Sequence, residues 1–166
     1  LRHDLSLIAY HLPLDAHPEL GNNAQLARVL DLTVTGTVGG THRTPGLVMW
    51  GELAQPLPGA DFAAMIATRL GRAPLHIAGN ARPIRRLAWC TGGGQSLIEL
   101  ALTADVDGFL TGEASEQTVH IAREQGIHFF AAGHHATERY GIPALGAHLA
   151  AQYPLRFTFV DIDNPV

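Results

Sequence analysis

Lysine is absent from the 166 residues, and all 11 basic residues are arginine. A single cysteine, Cys90, excludes an internal disulfide and an all-thiolate zinc site, and it fits a reducing cytoplasm. No apolar run approaches the roughly 18 residues that a membrane span requires, so the chain is not expected to cross a bilayer. Strong positive charge is also missing. A net charge of −4 and a pI of about 6.2 disfavour a free-standing nucleic-acid binder. Internal repeats and low-complexity tracts are lacking, and no targeting segment is visible.

What is present suits a compact α/β fold: hydrophobic residues make up 46% of the chain and mean hydropathy is +0.09. Residues 4–10 read as a mostly apolar strand, broken by Pro13 and Pro18 into a loop that carries His11, Asp15, His17 and Glu19. A short helix over 24–30 follows, with Asn22 or Asn23 as its cap, although the Asn pair could instead fix the loop that holds Asp15. Residues 33–37 are strand-like. Gly36, Gly39, Gly40, Pro45 and Gly46 then mark a loop and a boundary, dividing the chain into 1–35 and 36–166.

Beyond the boundary strands and helices alternate. The pattern places strands over 47–53, 75–78 and 84–90 and a turn at 56–59. An amphipathic helix spans 61–70, stopped by Gly71. Arg69, Arg72, Arg82, Arg85 and Arg86 cluster here, as a solvated face or as an anion-binding or subunit-contact surface.

Three strand-loop-helix units carry the most chemistry. The first runs through Thr91, Gly92, Gly93, Gly94, Gln95 and Ser96 into a helix over 97–103. Glycines at a helix start can bring backbone N–H groups to a phosphate, but the run lacks a Walker lysine and a Rossmann spacing, and a tight structural turn explains it equally. The second strand, 106–111, ends at Glu113, ahead of a helix over 115–125. Glu113 is a candidate general base or a partner for a ligand histidine, or else a helix cap. The third strand, 127–131, leads into a helix running to 150 that opens with His134, His135 and Glu138. His134 and Glu138, four residues apart, can close on one ion, or can simply decorate a helix N-terminus. Imidazole and carboxylate together suit zinc, iron or manganese. Residues 156–162 are expected to close the sheet. All three loops lie beyond the carboxyl ends of consecutive strands, where open α/β sheets bind ligands. His11, His17 and His135 could orient ligands or substrate, whereas His42, His76, His120 and His148 read as surface or packing residues. Cys90, in an apolar strand, reads as an inert buried thiol.

The segments YHLPLDAHPELGNNAQLA, GELAQPLPG, AWCTGGGQSLIELA, DGFLTGEASEQTVHIAREQGIHFFAAGHHATERYGIPAL and FVDIDNPV, in this order, resemble the Nif-three-like proteins, which are named as homologues of type 2 GTP cyclohydrolase I. The likeness runs over residues 5–166. It implies an α/β protein with mainly parallel sheets flanked by helices, in two similar domains when complete, of which 1–35 is a remnant of the first. It implies two divalent metals per subunit in the complete protein, with Asp15, His134 and Glu138 as ligands and Glu138 as the bridge. The implied activity is metal-dependent hydrolysis of a nucleotide-like substrate, of the GTP cyclohydrolase type, in the cytoplasm. The alternative is a non-catalytic metal-binding protein in a ring-shaped homohexamer that embraces nucleic acid or protein partners.

The family's other two ligands form a His-His pair ahead of the LPLD motif, and this chain has no such pair before Asp15. Beginning at Leu1 in what reads as a helix end, the sequence is expected to be the C-terminal two-thirds of a longer protein. Three ligands can hold one ion, while a second position would have a bridging carboxylate and little else. The 166-residue form is therefore expected to bind one metal weakly or none, with an unpaired edge at residues 5–10 that invites another chain.

Overall fold

The computed structural model describes residues 2–40 and 46–166. His42 and Pro45, to which the sequence assigned a surface and a loop role, lie outside the described residues. Six strands form one mixed sheet in the order β1-β2-β4-β5-β6-β3. They are β1 (Leu32–Val38), β2 (Val48–Leu57), β3 (Leu75–Ile77), β4 (Ile84–Trp89), β5 (Gly108–Thr111) and β6 (His128–Ala131). The centre, β4-β5-β6, is parallel, and the flanking ladders β1-β2, β2-β4 and β3-β6 are antiparallel. Helices α1 (Leu12–Asp15), α2 (Asn22–Val29), α3 (Gly59–Leu70), α4 (Ile98–Leu102), α5 (Glu116–Gln125), α6 (His134–Thr137) and α7 (Gly141–Gln152) complete the α/β fold.

Alternation along the central strands builds two cores. Leu87, Trp89, Leu110 and Phe130 pack with Leu26, Phe62 and Ile66 of α2 and α3. Ala88, Phe109 and Phe129 point to the other face, against Ile98 and Ala101 of α4 and Ala122 of α5. Successive residues of a strand face opposite ways, so each buried strand supplies both layers. Gly71 stops α3 as expected, left-handed at φ 70°, and Gly126 ends α5 in the same way at φ 68°. Strand β1 runs across residue 36 and pairs with β2 along its length.

Two expected strands are not formed. Residues 4–10 and 156–162 make no ladder, and both segments are exposed, with Leu7 at 95%. Their apolar pattern suits a sheet, but a strand exists only where a neighbour offers N–H and C=O partners. The helix expected to run to residue 150 is broken: α6 ends at Thr137 and α7 starts at Gly141. Of the clustered arginines, Arg69 pairs with Asp31, Arg85 with Glu52, Arg86 with Asp105, and Arg72 donates to the Pro165 carbonyl. No helix of the described residues is long and apolar enough to cross a membrane.

Candidate metal centre

The loops after β4, β5 and β6 are laced edge to edge: the Gly112 N–H donates to Gly92 O (2.8 Å), and the Gly133 N–H to Gly112 O (2.8 Å). This brings Glu113 beside α6. His134 Nδ1 lies 2.6 Å from Glu113 Oε1, and its Nε2 lies 2.8 Å from Glu138 Oε2. The Glu113 hydrogen bond pushes the His134 pKa up, against the opposing effect of burial and with help from Glu138, and the same bond holds the Glu113 carboxyl below its ordinary value. Ser115, not Glu113, caps α5, its side chain accepting from the Thr118 N–H.

Asp15 arrives from the other side, at the end of α1, and is 6% exposed. Together with Glu138 and His11 it forms a group whose ligand atoms all lie within 4.8 Å of one another. Asp15, His134, Glu138, His11, Cys90 and Thr91 line one cavity of about 270 Å³. Burial and the Asp15 carboxylate raise the Glu138 pKa. Neither Arg nor Lys is among the described lining residues, so two facing carboxylates lack a fixed cation. The Thr91 hydroxyl, also buried, has no hydrogen-bond partner. Two carboxylates, two imidazoles and a free hydroxyl in one cavity are a donor set that fits a divalent ion of the zinc, iron or manganese type.

The Asn pair is not a helix cap. Gly21 occupies the N-cap of α2, and no side chain caps it. Asn22 Nδ2 instead donates to Asp15 Oδ1 (2.8 Å), and its oxygen accepts from the Gly141 N–H. Asn23 Nδ2 donates to the Asp15 and Leu47 carbonyls while its Oδ1 accepts from the Thr91 N–H. Both amides are buried at the junction of α1, α2 and the β4 loop, where an unmatched carbonyl would be costly. His11, which the sequence offered as a residue that could orient ligands or substrate, joins the donor group itself. It stands four before Asp15, the same interval that joins His134 to Glu138.

The glycine run is a close-packed turn. The N–H groups of Thr91, Gly92 and Gly94 donate to Asn23 Oδ1, Thr137 Oγ1 and Thr111 Oγ1, so the expected phosphate contacts at these positions are already engaged. Gly92 is left-handed (φ 66°), and a Cβ there would stand 2.7 Å from Glu138 Oε2. Gln95 reaches the site edge, its Nε2 donating to Glu113 Oε2 (3.2 Å), whereas Gly93 and Ser96 are exposed.

Cys90 is buried, and burial with the nearby Asp15 and Glu138 charges pushes its thiol up to about 12, which keeps it protonated. His17 Nδ1 accepts from the Glu19 and Leu20 N–H groups and closes its own loop. The ring of His135 faces Asp161 at 3.5 Å, and the His135 backbone N–H donates to the Val166 carbonyl. His76 packs as expected, its ring stacked on Phe130.

A family model described as Duf34/NIF3 (NGG1p interacting factor 3) matches residues 1–165. A protein of Escherichia coli K12 named as a GTP cyclohydrolase 1 type 2 homolog is 56% identical over 167 residues, covering 99% of this chain and 65% of that protein. One of Pseudomonas aeruginosa with the same name is 55% identical over 166 residues, with the same coverages. A solved structure titled protein ybgI, of unknown function, is similar at a TM-score of 0.92 and 56% identity, covering 100% of this chain and 65% of that one. A structure from Thermus thermophilus is similar at a TM-score of 0.75 and 33% identity, covering 94% and 60%. The chain thus spans about two-thirds of the length of the relatives it matches.

Proposed function

The chain belongs to the Duf34/NIF3 family, and from that premise we propose that Asp15, His134 and Glu138, joined by His11, hold a divalent metal in a hydrolytic centre. The observation that carries the reading is the Asp15 and Glu138 carboxylates facing one another in a cavity open on the His11 side, with imidazoles on its wall and no Arg or Lys among the described lining residues. A zinc, iron or manganese ion there would acidify a water molecule and stabilise negative charge developing on the substrate.

The chain's own groups prepare that site. His134 Nε2 lies 2.8 Å from Glu138 Oε2, and it must be free of a proton to become a ligand. Glu113 holds the other ring nitrogen, which fixes the orientation of the imidazole and raises its basicity. Both Glu113 oxygens are engaged, by His134 and Gln95, so its role is to position His134 rather than to serve as the free base. Asn22 aims Asp15 in the same way.

The substrate implied by the family name of the relatives is a nucleotide opened by hydrolysis, and that activity belongs to the proposal. The test is a hydrolysis screen of nucleotides and cyclic amidines on the full chain loaded in turn with zinc, iron and manganese. Turnover that depends on the metal and is lost in Glu138→Gln supports the reading, and tight metal binding without turnover on any substrate favours a non-catalytic metal protein. That second reading, a ring-shaped homo-oligomer, draws on the exposed apolar residues Leu7, Ile8, Val160 and Ile162 in segments without a sheet partner. The net charge of −4 disfavours nucleic acid as its cargo.

A further inference from the structure

Helix α6 is a single turn, yet it carries one proposed ligand at its first position and stops just before another, since it runs from His134 to Thr137 with Glu138 as its C-cap. Four residues close too few hydrogen bonds to offset the cost of nucleating a helix, so the turn has to be held by its surroundings. Its inner side is held by the neighbouring loops: the Gly133 N–H donates to Gly112 O, and Thr137 Oγ1 accepts from the Gly92 N–H. Its outer side meets residues 161–166, which follow α7 without joining a helix or strand.

Those residues touch the turn at places that bracket both ligands. Ahead of His134, Arg72 lies against Gly133, where a Cβ would stand 2.9 Å from its Nη1, and the same guanidinium donates to the Pro165 carbonyl. Directly after His134, the His135 N–H, one of the donors that a helix start leaves without an intrahelical partner, donates to the Val166 carbonyl at 3.0 Å. Next to Glu138, Arg139 pairs with Asp161, and Asp161 Oδ1 also faces the His135 ring at 3.5 Å. Asp161 thus reaches both ends of the ligand-bearing stretch. The segment is itself anchored, because the Phe157 ring fills the space beside Gly146 of α7 and the Val166 N–H donates to Asn164 Oδ1.

With the Asp161 and Arg139 side chains 42% and 32% exposed, their pair adds little to global stability. It acts instead on a turn with little stability of its own, where a small opening separates His134 from Glu138.

Resting on the metal reading above, we infer that residues 161–166 clasp α6 from outside and that Asp161 is a positioning residue for the metal centre, acting through Arg139 and His135 on the adjoining ligands Glu138 and His134. Asp161 does not itself line the metal cavity. Zinc binding and docking of the clasp are then coupled, each favouring the other by the same factor.

Zinc affinity and amide hydrogen exchange of the full chain test this in Asp161→Ala, in Asp161→Glu, and in Asp163→Ala, which removes the same charge two residues away. Asp161→Ala should bind zinc roughly fivefold or more weakly and, without metal, speed exchange of the His135 N–H by a similar factor, while Tm and the exchange of the buried β5 amides stay unchanged. Asp161→Glu, which keeps the carboxylate, should recover part or all of the zinc affinity, and Asp163→Ala should retain it. Unchanged zinc affinity or unchanged His135 exchange in Asp161→Ala overturns the clasp, as does the absence of any recovery in Asp161→Glu. An equal loss in Asp163→Ala overturns it by reducing the effect to charge, and faster exchange throughout β5 by reducing it to global stability. Each of these results leaves the metal reading standing. Absence of zinc binding by the unmodified chain overturns that reading and this inference with it.

Discussion

Asn22 and Asp15 are bound side chain to side chain at 2.8 Å inside the protein, and the same Asn22 amide takes the N–H of Gly141 at the start of α7 at 2.7 Å. One buried amide therefore fixes a proposed ligand and, 119 residues later, the helix that follows the other two. Asn22→Ala leaves the Asp15 carboxylate and the Gly141 N–H without these partners. It should lower stability by about 1–3 kcal/mol in urea denaturation. Zinc affinity, read by competition with a chromophoric chelator, should fall roughly tenfold or more.

Glu113 acts on zinc through His134. Glu113→Gln should weaken zinc binding at pH 8 by roughly 10–100-fold with little change in Tm. The sign of its pH effect follows from the raised His134 pKa. In the metal-free protein that shift contributes stability fully present below the ordinary histidine pKa and lost as pH rises through the raised value. Protons therefore compete with zinc up to a higher pH than at an unassisted histidine. In Glu113→Gln the pH below which zinc affinity falls from the variant's own alkaline plateau should move down.

His11 is proposed as the donor that joins Asp15 and Glu138. His11→Ala should leave the fold intact, since the side chain is largely exposed. It should weaken zinc binding by at least about tenfold in calorimetry. An unchanged isotherm would reduce the centre to Asp15, His134 and Glu138.

Gly92 is required twice, for its left-handed backbone and for the space that Glu138 occupies. Gly92→Ala should cost about 1–2 kcal/mol from the backbone alone. It should also displace the Glu138 carboxylate, so that zinc affinity falls more than in an alanine substitution at the exposed Gly93.

His76 packs on Phe130 with its Nε2 3.0 Å from His128 Nδ1, and burial with the His128 charge depresses its pKa. A depressed histidine contributes stability present above the unfolded pKa, near 6.5, and lost as pH falls through the lower folded value. The Tm of the wild type should drop over that acid window, and His76→Phe, which keeps the stack, should drop less.

Much of the site was legible because its loops follow strands of clear pattern. Residues 84–90, 106–111 and 127–131 read as strands, and β4, β5 and β6 occupy those runs in parallel, so Thr91, Glu113 and His134 had to share one edge. The segments 4–10 and 156–162 depart from their strand-like pattern for the opposite reason: an apolar run records what a strand could bury, not whether another strand is there to pair with it. The sequence offers Asn22 and Asn23 as caps or as a brace for the Asp15 loop; the structure selects the brace, because their partners, Asp15, Gly141 and Thr91, become neighbours only after folding.

By itself the sequence determined the alternating α/β order, the stop at Gly71, and the residue types able to ligate a metal, because periodicity, left-handed glycines and side-chain chemistry are local properties. Only the tertiary structure decided which donors meet. Asp15 and Glu138 are separated by more than a hundred residues and come together because α1 is tied through Asn22 to α7. It also decided the fate of three donors of the glycine run: the N–H groups of Thr91, Gly92 and Gly94 could have faced a ligand but are taken by Asn23, Thr137 and Thr111. A backbone donor goes to whichever acceptor the fold sets before it, and that acceptor lies far away in the chain.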